Sequence, residues 1–104
     1  MRKSLKELSI VQTKAASQKE LEAELIKEGY SFYVWSDSPG AYYSPHHHEY
    51  DECICVISGK MVFIVDSKEY ELEPGKKLYL PAFTTHESKN KQKEKVTYLI
   101  GESK

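Results

Sequence analysis

The chain has 104 residues, enough for one domain and too few for two. A domain this small leans on a dimer interface, a metal or a very regular core. Its 15 basic and 16 acidic residues leave a net charge of −1, which gives it no electrostatic footprint for nucleic acid, while eight Tyr, three Phe and one Trp lean the composition towards sheet.

In chain order, Met1-Arg2-Lys3 is basic but no apolar run follows, which excludes an ordinary signal peptide. No stretch is long and apolar enough to cross a bilayer, so a cytoplasmic location and no membrane partner are expected. A weak strand is expected near Ser9 to Gln12. Ser17 and Glu20 have the spacing of a capping box, and Leu21, Leu25 and Ile26 follow as an apolar stripe among charged residues. With Gly29 where a helix should stop, one amphipathic helix is predicted over 18–28, its stripe packed on a core.

Beyond Gly29 the pattern changes to strands and turns. Tyr30 to Trp35 is aromatic and β-branched, and Asp37-Ser38-Pro39-Gly40 is a turn. Short strands are expected at Cys53 to Ile57, Met61 to Val65, Tyr70 to Leu72, Leu78 to Leu80 and Val96 to Ile100. Asp66-Ser67-Lys68 forms a hairpin loop, and Glu73-Pro74-Gly75-Lys76 carries the signature of a type II turn. Many short strands separated by turns predict an all-β sandwich or barrel. Cys53 and Cys55 point the same way from a strand, with Cα atoms about 6.6 Å apart, and read as small core hydrophobes. Lys89, Lys91, Lys93 and Lys95 alternate with other residues and would share one solvated face of an edge strand blunted by lysine.

The chemistry lies in Pro45-His46-His47-His48-Glu49-Tyr50-Asp51-Glu52. On an extended chain His46, His48, Tyr50 and Glu52 share the parity of Ile54 and Val56. Those two must face the interior, so the histidines and the glutamate face it too. His47, Glu49 and Asp51 then point outward as surface groups. A buried carboxylate beside two imidazoles is costly unless a cation compensates it, and this donor set suits Zn, Ni, Fe, Mn or Cu. A turn after Pro81 could bring His86 to the same interior. The plainer alternatives are hydrogen-bonded histidines or a surface cluster that takes metal adventitiously; the parity and the spacing to Glu52 and His86 argue against them.

At these residues the sequence resembles the cupins. Gly40, His46, His48, Glu52 and Gly59 fall at the positions of the first cupin motif, and Gly75, Pro81, His86 and Asn90 at those of the second. Phe83 stands where the second motif has its middle glycine, so the turn before His86 is expected to use another conformation than the left-handed one. The resemblance implies a double-stranded β-helix (jelly-roll) barrel. Joined to the reading above, it gives one domain over 1–104, all-β, with one short N-terminal amphipathic helix at about 18–28 and the barrel at about 30–101. It also implies one divalent metal ion held by His46, His48, Glu52 and His86.

Three imidazoles and one carboxylate leave coordination positions open, as in a catalytic site. The resemblance extends to dioxygenases, isomerases and lyases, so a metal-dependent enzyme on a small organic acid or sugar-like substrate is expected. The alternative is a non-catalytic small-ligand-binding or sensor domain with a structural or ligand-anchoring metal. Tyr50 is the candidate proton donor, and Trp35, Phe83 and Tyr98 are further candidates to line the pocket; no second inward acid or base stands out. Family members commonly dimerise, and a homodimer is expected. Because imidazoles bind metal only when neutral, metal affinity should fall in acid.

Overall fold

The computed structural model describes residues 4–103; the basic Met1-Arg2-Lys3 start lies outside them. After β1 (Ser9–Gln12) comes α1 (Gln18–Lys27), followed by β2 (Tyr30–Asp37), β3 (Tyr42–His46), β4 (Glu52–Ser58) and β5 (Met61–Val65). The chain continues with β6 (Lys68–Leu72), β7 (Lys76–Leu80), β8 (His86–Lys89) and β9 (Val96–Ser103). All pairings are antiparallel and form two sheets, one ordered β1-β7-β4-β9-β2 and the other β3-β8-β5-β6. This is the arrangement expected of a double-stranded β-helix: from β2 to β9 each strand passes to the other sheet except at the β5–β6 hairpin.

Period-2 alternation decides what each strand buries. In β4, Ile54 and Val56 turn inward and join Met61, Phe63 and Val65 of β5, Leu72, Leu78, Leu80, Val96 and Tyr98 in the core between the sheets. Cys53 and Cys55 turn to the opposite face of the five-stranded sheet, where they pack with Leu21, Leu25, Tyr30 and Leu99 beneath α1. Both cysteines are free and buried, as expected of small core hydrophobes. A hydrogen bond with Cys55, together with burial, pushes the Cys53 thiol up, which keeps it inert at neutral pH. Gly101 admits the helix: a Cβ there would lie 3.1 Å from the Leu25 side chain and 3.1 Å from the Cys53 carbonyl oxygen.

The helix begins as predicted, with the Ser17 side chain accepting the Glu20 N–H at 3.2 Å. Glu20 reaches back one residue further than a capping box requires and takes the Ala16 N–H at 3.0 Å. Leu21 and Leu25 are buried, but Ile26 is 63% exposed; the stripe is narrower than three residues.

The structure departs from the local expectations at the β5–β6 hairpin, the lysine row, Asp51 and the segment 45–52. The hairpin between β5 and β6 is a two-residue loop, Asp66-Ser67, both with positive φ as a type I′ turn demands, and Lys68 already pairs with Val65. The Glu73–Lys76 turn closes with the Lys76 N–H on the Glu73 carbonyl and Gly75 at φ 95, as expected for type II. The lysine row does not form a strand: β8 ends at Lys89, and 91–95 is an exposed loop held by Asn90. The Asn90 side chain donates to the Glu94 carbonyl at 2.8 Å and accepts the Gln92 N–H at 2.9 Å, which overrides the alternation. Asp51 is buried and not a surface charge: its carboxylate accepts the Leu5 N–H at 2.9 Å and the Ala82 N–H at 2.8 Å, tying two loops to the sheet. Finally, 45–52 is not one extended strand. β3 ends at His46, residues 47–51 cross between the sheets, and β4 starts at Glu52.

Candidate metal centre

His46 and His86 are cross-strand partners on β3 and β8, so their rings share one face and lie 4.4 Å apart between centroids. His48 arrives from the crossing segment, its ring 5.0 Å from that of His46 and 5.6 Å from that of His86. One nitrogen from each of the three imidazoles lies within 4.8 Å of the others. Glu52 comes from the opposite sheet; its Oε1 is 3.6 Å from His48 Nε2 and 3.8 Å from His86 Nε2. All four line a cavity of about 180 Å³ between the sheets, floored by Ile54, Phe63 and Ile100.

The hydrogen bonds fix which nitrogen of each ring is free. A carbonyl can only accept, so His46 donates Nδ1–H to the Ser44 carbonyl at 2.6 Å and His86 donates Nδ1–H to the Thr84 carbonyl at 2.8 Å. The Tyr50 hydroxyl donates to Glu102 at 3.1 Å and so accepts Nδ1–H of His48 at 3.2 Å. Each ring therefore keeps a bare Nε2 lone pair, the tautomer and outer hydrogen bond that metal-ligating histidines carry. Burial and the neighbouring His46 hold the His48 imidazole below its ordinary range; burial does the same to His86 against the opposing Thr84 carbonyl. Both are neutral, as ligands must be. Burial, with the cross-strand partner Glu102 facing it, lifts the Glu52 carboxyl to about 7. Glu52 is 6% exposed with no lysine or arginine at the cavity. A cation among these donors would relieve that cost, so the residues fit a divalent metal.

The sequence-predicted residues separate here. His46, His48, Glu52 and His86 converge, together with Trp35 and Tyr98. Tyr50 does not line the cavity. It stacks on His48 at 5.1 Å and 20°, behind the ring, so it positions an imidazole and is not placed to act as a proton donor. Burial and Glu102 push its hydroxyl well above the usual phenol range. Phe83 does not line the cavity either and is 64% exposed, yet its φ is +65. The chain keeps the left-handed turn without a glycine; the Phe83 N–H donates to the His48 carbonyl at 2.7 Å and clamps the two motif segments together.

Asp37, Tyr33 and Tyr43 were not foreseen. Asp37 is 5% exposed and collects Trp35 Nε1–H at 3.1 Å, the Tyr43 hydroxyl at 2.6 Å and the Tyr98 hydroxyl. It is thus a second inward acid, read from sequence as a turn residue. The signal was present, since Tyr33, Trp35 and Asp37 share one parity of β2.

A model of the Cupin domain family matches residues 26–101. No curated protein matches the chain. Among solved structures, a chain from the crystal structures of the DMSP lyases RdDddP and RnDddQII shares 25% identity at a TM-score of 0.65, over 72% of this chain and 38% of that one. The present chain thus spans well under half of that lyase chain. KdgF from Halomonas sp. shares 19% identity at a TM-score of 0.62, over 73% of this chain and 70% of that one. The Cupin_2 domain of an XRE family transcriptional regulator from Enterobacter cloacae shares 17% identity at a TM-score of 0.62, over 93% and 96%.

Proposed function

This chain belongs to the cupin family, and on that premise we propose that it binds one divalent metal ion through His46, His48, Glu52 and His86 and acts as a mononuclear metal-dependent enzyme on a small molecule. The observation that carries this reading is the set of three bare Nε2 lone pairs beside a buried, cation-free Glu52. A bound Zn, Ni, Fe, Mn or Cu would supply Lewis-acid or redox chemistry to a ligand oxygen. The chain's own residues do the rest. The Ser44 and Thr84 carbonyls and Tyr50 aim the imidazoles, while Ile54, Phe63 and Ile100 exclude water from one wall. The reaction belongs to the dioxygenase, isomerase or lyase types.

One observation favours a second reading, a non-catalytic ligand-binding or sensor domain in which the metal anchors the ligand. Beyond the four ligands, the Tyr43 and Tyr98 hydroxyls at the cavity are committed to Asp37 and that of Tyr33 to Glu102. No free acid or base is then left among the described lining residues to move a proton.

The test is elemental analysis of untagged protein, never exposed to a nickel column, beside His86→Ala and His48→Ala. About one metal per chain, absent from both variants, is the expected outcome. No metal after incubation with Fe, Mn, Ni and Zn refutes the centre. We further propose that the chain is a single cupin domain, cytoplasmic and homodimeric; light scattering that returns a 12 kDa particle at micromolar concentration removes the dimer.

A further inference from the structure

Away from the histidines the cavity is walled by aromatic rings. Tyr33 and Trp35 of β2 meet edge to face, 6.3 Å between centroids and 87° between planes, and form a corner. Tyr43 comes from β3 of the other sheet, its hydroxyl 3.1 Å from Trp35 Nε1. These three are 43%, 46% and 36% exposed, which is high for large aromatics in so small a protein. They sit at the cavity mouth, where a ligand reaching the histidines would pass.

Their polar atoms are already committed. Trp35 Nε1–H, the Tyr43 hydroxyl and the Tyr98 hydroxyl all donate to the buried Asp37. Burial and the Glu102 carboxylate hold the Tyr33 hydroxyl protonated. The mouth therefore offers ring faces and few donors. A sugar, which needs donors and acceptors for its hydroxyls, finds little there. A phosphorylated ligand finds no lysine or arginine in the lining, where Glu52 is the acid, and Asp37 and Glu102 stand behind the aromatic rings. A primary ammonium would need open carboxylate oxygens beside the rings; those of Asp37 accept from Trp35, Tyr43 and Tyr98, those of Glu102 from Tyr50 and Tyr33, and Glu52 is committed to the metal on the reading above.

The same hydrogen bonds make the rings good hosts for one other group. A phenol or indole that donates to a carboxylate carries extra electron density on its ring, which deepens the negative face that attracts cations. We propose that this aromatic mouth is a subsite for a fully alkylated cation of the quaternary-ammonium type, carried by a ligand whose other end, a carboxylate or carbonyl, reaches the three histidines. The cationic end stands on the aromatic geometry alone; only the far end rests on the metal reading above. A zwitterion of this kind fits the cavity, since a metal with one carboxylate ligand is net positive while the mouth is backed by Asp37.

Trp35 is the only tryptophan in the chain, so its emission reports directly on this mouth. Choline and its neutral carbon isostere, 3,3-dimethylbutan-1-ol, are titrated into metal-free protein. Choline should give a saturable change and bind at least about fivefold tighter than the isostere. Tyr43→Leu, with its fold checked by circular dichroism, should lose most of that preference. Tyr33→Leu serves the same purpose if Tyr43→Leu does not fold. Equal affinity for the two isosteres, no saturable response to choline, or a preference that survives loss of the rings overturns the subsite. Glycine betaine and 3,3-dimethylbutanoate are then compared with and without metal. Betaine should tighten on metal loading. If it does not while the choline preference stands, the metal end is wrong and the aromatic subsite is retained.

Discussion

At the scale of single residues, the site is set by which nitrogen of each histidine is spoken for. Two of the three imidazoles hand Nδ1–H to the carbonyl two residues earlier, a local bond that any chain with His at the start of β8 or the end of β3 can make. His48 has no such carbonyl and depends on Tyr50, held in turn by Glu102. Tyr50→Phe should therefore weaken metal binding about 10–100-fold while the melting temperature of the metal-free protein barely moves. Competition with a chromogenic chelator measures this, and an unchanged affinity would show that His48 is oriented by something else. Phe83 shows a different kind of residue-level constraint. A left-handed conformation costs a non-glycine residue about 1–2 kcal/mol. The chain bears it because the Phe83 N–H must reach the His48 carbonyl.

At the scale of elements, the helix is fixed to the five-stranded sheet by more than Leu21 and Leu25. Lys77 of β7 is 6% exposed, and its ammonium lies 3.0 Å from both Glu24 and Glu28. Tyr79 donates to Glu28, and Thr13 to Glu24. Burial would pull the Lys77 ammonium down, but its bonds to Glu24, Tyr79 and Glu28 outweigh this and raise it; the Lys77 bond lowers the Glu24 carboxyl. The Glu24 contribution is present above the ordinary carboxylate range and is lost as pH falls through its depressed folded value. The Lys77 contribution is lost only as pH rises through its raised folded value, beyond the ordinary lysine range. Lys77→Met should destabilise the protein by about 1–2 kcal/mol, less than a fully buried pair because both carboxylates remain a third exposed. In urea melts the gap between wild type and variant should hold through neutral pH and narrow in acid; a gap constant down to the lowest pH would contradict the latch.

At the scale of the whole molecule, one centre draws on both sheets: His46 and His86 from the four-stranded sheet, Glu52 from the five-stranded one, and His48 from the crossing between them. Metal should therefore staple the sheets together. At about 100 times its dissociation constant it should add about 2.7 kcal/mol, or about 10–20 °C in melting temperature for a domain of this size. A chelator should reverse the shift and His48→Ala should abolish it; a melting curve indifferent to both would place the metal elsewhere. How much of this was legible in the sequence follows from range. The capped helix, the type II turn, the inward face of β4 and the convergence of His46, His48, Glu52 and His86 are written in spacings of two to four residues and in two short motifs, so sequence alone determined them. The parity reasoning brought these four residues to one cavity although 47–51 is not a strand, because a chain that crosses from sheet to sheet still returns His48 and Glu52 to the same interior. Tyr50 behind a histidine, the buried Asp51 and the Asp37 hub depended on partners tens of residues away, such as Glu102, Ala82 and Tyr98, and the lysine loop on Asn90, whose side chain is held in turn by the distant Asp37 carbonyl. Only tertiary structure decided these, because whether a polar side chain is satisfied inside or solvated outside depends on which donors the folded sheets bring within about 3 Å of it.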